Sequence, residues 1–227
     1  KSTTSPSVTW TGESIVPTDI SGLHVWLKAD AGITKDGSDL VSAWADQSGN
    51  SNNVTQATGT NQPLWESSQI SGLPSVSFNG TDNWMADTAW GSAISGSFTI
   101  YIITDNWWPG GSDAKYVFDS STTRAYCYTA GDGYHIASTT ELIGAGTGTK
   151  DVWSYLRLTF GANGNISKDG VSLASATTGT GGMGGLNLGS RFNQSSESFA
   201  DVKIAEILIY DTELSASDRL AVEKYIY

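Results

Sequence analysis

The chain has 227 residues, enough for one large all-β domain with a core of its own. Its 23 acidic and 12 basic residues give a formal net charge of −11, so phosphate backbones and anionic lipid heads are repelled. Nucleic acid is excluded as a partner on that ground, and membrane insertion because no apolar run reaches the roughly 18 residues a spanning helix needs.

Taken in chain order, the opening "KSTTSPSVTWTG" reads as a linker or a processed end. Residues 1–19 are set apart as a linker or N-terminal extension, and 20–227 form a single domain. Within it, short apolar-alternating runs recur between Gly, Asn, Asp and Ser clusters, the pattern of a sandwich or barrel. Strands are predicted at 22–29, 74–80, 97–105, 115–120 and 124–130. Further strands are predicted at 134–139, 151–161, 164–176, 185–191 and 202–211. In "FGANGNISKDG", Asn163-Gly164 supplies positive-φ turn residues and Asp169-Gly170 a second turn. The Gly-rich "TGTGGMGG" (178–185) reads as a flexible loop without the Lys-Ser/Thr of a phosphate loop. The one predicted helix is "LSASDRLAVEKYIY", with Ser215 as N-cap, Asp218 three residues on, and Leu220, Val222 and Tyr225 facing the sheets.

Four stretches together resemble the laminin-G-like, concanavalin-A-like jelly-roll superfamily of secreted bacterial and phage proteins. The first is "GLHVWLKADAGIT"; the second is "VSAWADQSGNSNNVTQAT" with the "QPLWESSQISGLPSVSFNGTDNWM" that follows. The third is the hairpin "VWSYLRLTFGANGNISKDGVSLASA", and the fourth is "ADVKIAEILIYDTELSASDRLAVEKYI". The resemblance implies an all-β, concanavalin-A-like antiparallel β-sandwich (a jelly roll) with a short C-terminal helix. It leaves function open, because the fold hosts lectin-like modules, adhesion domains, glycosidases and lyases alike.

Four residues of "WADQSGNSNN" bear on a cation. Asp46, Ser48, Asn50 and Asn52 offer side-chain oxygens around Gly49, as Ca²⁺ accepts. The alternative is an Asx-type turn in which the same groups satisfy local backbone amides. Catalytic signals are thin. A retaining glycosidase needs two carboxylates facing one another, and Glu206, read with Ile204 and Leu208 on its strand face, lacks the second. Lyase chemistry has raw materials in Tyr126 and Tyr128, which share a strand face with Arg124, in Tyr134 beside His135, and in Tyr155 with Arg157. The strand motifs of jelly-roll lyases are absent. Cys127, the one cysteine, sits mid-strand as a small hydrophobe, and His24 alternates with Trp26 as a packed histidine.

Aromatic residues remain. Nine Trp in 227 residues is about twice the ordinary density. Trp26, Trp44 and Trp153 fall on or beside strands and belong to the core, whereas Trp65, Trp84, Trp90 and the Trp107/Trp108 pair fall in loops. A flat aromatic face takes the C–H face of a sugar ring, and rim loops are where binding groups collect. The expectation is a non-catalytic carbohydrate-recognition or adhesion module of a larger extracellular protein. Its ligand-binding residues would be Trp84, Trp90, Trp107, Trp108, Tyr126, Tyr128, Tyr134, His135 and Arg157. Its partners would be extracellular or cell-surface polysaccharide and other domains of the same chain, at a cell or virion surface. The alternatives are a structural or receptor-binding domain of a phage or surface fibre, and a polysaccharide lyase or glycoside hydrolase on the same fold.

Overall fold

Alternating strands pair into two antiparallel sheets, and the inward side chains of both meet in one core. The structure is a computed structural model and describes residues 15–88, 90–105, 112–120, 122–131, 133–146, 152–195 and 198–226. In chain order the strands begin with β1 (Leu23–Lys28), β2 (Ile33–Lys35), β3 (Val41–Trp44), β4 (Val54–Thr55), β5 (Leu64–Ile70) and β6 (Leu73–Asn79). Next are β7 (Met85–Asp87), β8 (Phe98–Asp105), β9 (Lys115–Asp119), β10 (Tyr126–Ala130), β11 (Gly133–Ala137) and β12 (Glu141–Ala145). Then come β13 (Trp153–Phe160), β14 (Asn165–Lys168), β15 (Val171–Ser175), β16 (Leu186–Leu188) and β17 (Asp201–Tyr210), followed by the helix α1 (Ala216–Ile226).

The first sheet runs β15-β14-β13-β8-β17-β6-β5, with β1 paired to the upper half of β17. The second runs β12-β11-β10-β9-β16-β7-β4-β3-β2. The sandwich with a C-terminal helix expected from the sequence is therefore the architecture observed. Between the sheets, Phe98 and Phe160 stack with centroids 4.4 Å apart, beside Phe78, Phe118, Ile100, Ile102, Leu156 and Leu158. Full burial of each such side chain contributes about 1.5–3 kcal/mol. Cys127 is in this core, where burial pushes its thiol up to about 12, so it is inert as a nucleophile.

A second apolar layer lies outside the first sheet, where Tyr101, Tyr155, Leu208 and Tyr210 meet Val222 of α1. Ser215 caps that helix: its Oγ accepts the Asp218 N–H at 3.2 Å and donates to the Asp218 carboxylate at 2.7 Å. Val222 is fully buried and Tyr225 packs as expected, but Leu220 is 53 % exposed and faces away.

Three local expectations are corrected. Asp169 and Gly170 do take positive φ, whereas the first turn of the hairpin uses Gly161 rather than Asn163-Gly164. Gly164 serves instead for close approach, since a Cβ there would lie 2.3 Å from the Ala176 carbonyl oxygen. A bulge between Ile204 and Glu206 shifts the parity of β17. Glu206 thus shares its face with Leu208 but not with Ile204, which points into the main core. The 178–185 stretch is pinned: the Thr178 carbonyl accepts the N–H groups of Ser138, Thr139 and Thr140, and Met183 exchanges two backbone hydrogen bonds with Ile94.

Candidate functional site

The outer face of the second sheet carries a cluster of aromatic and charged side chains. Successive residues of a strand point to opposite faces, so β10 sends Cys127 inward and Tyr126 and Tyr128 outward. Register then builds a row across four strands. Tyr128 pairs with Tyr116 on β9 and with His135 on β11, and His135 pairs with Ile143 on β12. At the usual strand spacing the row is about 14 Å long. Beside it runs Asp119, Tyr126, Ala137 and Glu141, with the small Ala137 between tyrosine and glutamate.

The rings of the two rows are locked together. Tyr128 stacks on His135 at 4.4 Å with 10° between planes, and Tyr126 stacks on Tyr128 at 5.6 Å. Tyr116 meets Tyr128 at 5.1 Å and Tyr126 at 5.9 Å. Glu141 joins them at the rim. Its Oε1 accepts the Tyr128 hydroxyl at 2.7 Å and the Tyr126 hydroxyl at 3.4 Å, and lies 3.5 Å from His135 Nδ1. Burial, and then the Glu141 carboxylate, raises both phenols above their ordinary value, so they are hydrogen-bond donors at neutral pH and poor bases.

On the other flank, the fully buried Asp119 grips Arg124 through Nε and Nη2 at 3.0–3.3 Å and accepts the N–H groups of Ser120 and Phe192. That brace lays the guanidinium 4.5 Å from the Tyr126 ring centroid and 5.5 Å from that of Phe192. A third of the Arg124 side chain and 38 % of the Glu141 side chain remain exposed, with Tyr126 and Tyr128 half-buried between them. The result is a rigid, partly open aromatic floor with a carboxylate at one rim and a cation at the other. Such a surface can hold an apolar ring face and satisfy polar groups at its edge.

Of the residues expected at a binding site, Tyr126, Tyr128 and His135 come together here. Tyr134 does not: its neighbour His135 faces out, so Tyr134 points inward and is 2 % exposed in the main core. Arg157 lies on the outer face of the other sheet, committed to Glu223 of α1 at 2.8 Å and to Asn165 at 3.3 Å. Trp90 is corrected too, being 8 % exposed and packed in the main core against His24 at 4.6 Å. Trp84 is half-buried just ahead of β7, three strands from β10, with its backbone tied to Asn61 and Gln56. Trp65 is likewise no open platform, donating its indole N–H to the Ala29 carbonyl at 2.8 Å. Trp107 and Trp108 lie outside the described residues.

Sequence reasoning missed Tyr116, Asp119 and Glu141. Tyr116 and Asp119 fall in the predicted strand at 115–120, but at three residues apart they read as opposite faces; a bulge opposite Cys127/Tyr128, with Val117 and Phe118 both inward, brings them to one face. Glu141 was hidden, because β12 was not predicted.

The Asp46 loop forms a brace at the start of β1. Oδ1 of Asp46 accepts the N–H groups of Trp26 and Ser48, and Oδ2 accepts the Ser48 hydroxyl and the Asn52 N–H. The amide nitrogens of Asn50 and Asn52 donate to the His24 carbonyl. The four residues therefore meet, in the arrangement of an Asx-type turn. Among the described residues, no group of three or more His, Cys, Asp or Glu side chains is close enough to hold a metal ion.

Comparison with known proteins places the chain by fold, a β-sandwich found within larger proteins. No protein-family model matches the chain, and comparison with curated protein sequences finds no match. Solved structures do match. A botulinum neurotoxin type C structure, from work on cell entry dependent on two ganglioside molecules, aligns with a TM-score of 0.64 at 12% identity. The match covers 92% of this chain and 52% of the toxin chain. An arabinofuranosidase complexed with arabinofuranosyl-α-1,2-xylobiose aligns at 0.62 and 15% identity, over 82% of this chain and 50% of that one. Trypanosoma rangeli sialidase with difluorosialic acid aligns at 0.61 and 14% identity, over 91% and 32%. The chain thus spans from about a third to about half the length of these structures, and the likeness is one of fold.

Proposed function

We propose that the chain is a non-catalytic glycan-recognition module of the laminin-G-like, concanavalin-A-like type, working at a cell or virion surface as part of a larger protein. The observation that carries this reading is the half-open pair of Tyr126 and Tyr128, backed by the buried His135 and edged by Glu141 and Arg124. A pyranose would lay its C–H face on the tyrosines and turn its hydroxyls to the carboxylate and guanidinium. The neighbours of like fold support it in kind: one was solved with a sialic acid derivative, one with an arabinofuranosyl-xylobiose, and one concerns ganglioside interaction.

Catalysis fits the same face less well. Asp119 is buried with four donors around it, so Glu141 has no open carboxylate opposite it among the described residues, and the tyrosines are held protonated. Trp107 and Trp108 stand as further contacts on sequence grounds alone, since Phe98, Ile100 and Ile102 have already supplied the core before the pair is reached. The test is retention on a panel of polysaccharide gels and glycan arrays. Binding that disappears in a Tyr126→Ala/Tyr128→Ala double variant supports the platform. Release of reducing or unsaturated ends from any retained polymer overturns the non-catalytic reading.

A further inference from the structure

A cavity apart from the tyrosine rows opens beside the start of β1. It has a volume of about 560 Å³ and is bounded by the start of β1 at Gly22 to His24, by Asn50 and Asn52, by residues 91–95, and by Asp211 after β17. That volume is within the ordinary range for small-molecule sites. Its walls are held firmly. Both asparagine side chains are hydrogen-bonded to the His24 carbonyl, Asp46 fixes their loop, and Ile94 is bridged to Met183.

One lining side chain, His24, has an unsatisfied ring nitrogen, its buried Nε2, and Trp90 packs against it from the core side, outside the lining. The indole Nε1 of Trp90, whose ring lies 4.6 Å from the His24 ring, is likewise buried and unpartnered. Buried polar atoms nearly always have partners, and an orphan calls for a reason. Burial lowers the His24 pKa from 6.5 despite the nearby Asp211 and Asp46, so the ring is neutral near pH 7 and offers one donor and one acceptor.

We propose that this cavity is a separate ligand site for a single uncharged sugar ring or similar small polyol. The chemistry of the walls selects that class. An acidic sugar would meet Asp211 with no lysine or arginine among the described lining residues to balance it. A purely apolar ligand would leave the serine, asparagine and aspartate groups of the lining desolvated and unpaired. A polyol presents both donors and acceptors, and Ser92, Ser95, the two asparagines and Asp211 complete its coordination.

The chain has two histidines, His24 and His135, one in each candidate site, so imidazole NMR signals read the two sites separately. Isotope-labelled protein is titrated with the methyl glycosides of glucose, galactose, mannose and N-acetylglucosamine, and with methyl glucuronide. The expected result is a saturable shift of the His24 imidazole signals with at least one neutral glycoside and none with glucuronide. Asp211→Asn weakens that binding by about tenfold, the loss of one charge-assisted hydrogen bond. Ser92→Phe, at an exposed position on the rim, abolishes it by filling the space. His24 signals that stay fixed through the whole panel overturn the pocket, whatever His135 does. If His24 responds to neutral glycosides while His135 ignores every polymer as well, the pocket stands and the platform reading fails.

Discussion

Both sheets turn outward a glutamate ringed by aromatic donors, and the two are put to different ends. On the first sheet, Glu206 accepts the Trp26 indole N–H and the Tyr225 hydroxyl, and α1 lies across them. On the second, Glu141 accepts the Tyr128 and Tyr126 hydroxyls with no helix above them among the described residues. The pairing chemistry is nearly the same, and the covering layer decides its role. Under α1, loss of the carboxylate leaves two part-buried donors with restricted access to water; on the open face, water or a ligand hydroxyl can step in freely.

This contrast can be broken by mutation. Glu206→Ala is expected to lower unfolding free energy by about 1–3 kcal/mol in denaturant titrations, because two part-buried donors lose their acceptor. Glu141→Ala, by the same measurement, stays within about 0.5 kcal/mol of wild type. Equal losses at the two positions would mean that the open face is as structural as the covered one.

Burial raises the Glu206 pKa above the ordinary 4.5, outweighing the opposing pull of its two donors and Lys28. Between the unfolded and folded pKa values the native state then holds more protons than the unfolded state. Stability contributed by this group is full below pH 4.5 and is lost as pH rises through the folded pKa. Glu206→Gln keeps an acceptor and removes the titration, so its unfolding free energy is flatter across that window. A wild-type curve that is already flat there would contradict the assignment.

The two faces also differed in how far the sequence disclosed them. Period-2 alternation of large apolar residues revealed β8, β13 and β17, because Phe98, Ile100 and Ile102 or Leu156 and Leu158 all point into the core. The same signal placed Tyr126 and Tyr128 on one face. It failed at β12, where "ELIGA" sends Leu142 and Gly144 inward and leaves Ile143 44 % exposed. Gly144 sits inward because a Cβ there would be 3.0 Å from Ile166, so packing removed the apolar mark that would have betrayed the strand and its Glu141. Trp90 misled in the opposite way: its loop position suggested a rim contact, yet the loop folds inward over the sandwich end. Parity through the Ile204/Glu206 bulge was invisible, since a bulge is set by pairing partners remote in sequence.

The smallest expected effect is at the Asp46 loop. With both carboxylate oxygens engaged by protein donors, a chelator is expected to leave the thermal midpoint unchanged. A midpoint that falls with chelator and recovers with added calcium would place a stabilising ion there.

The central claim is that ring contact with the tyrosine floor binds glycan. It is tested most directly by calorimetric titration of a retained polysaccharide into wild type, Tyr128→Phe and Tyr128→Ala. The phenylalanine variant keeps the ring and is expected to bind within about threefold of wild type, while alanine loses about tenfold or more. A folded Tyr128→Ala protein that binds with wild-type affinity would contradict the account.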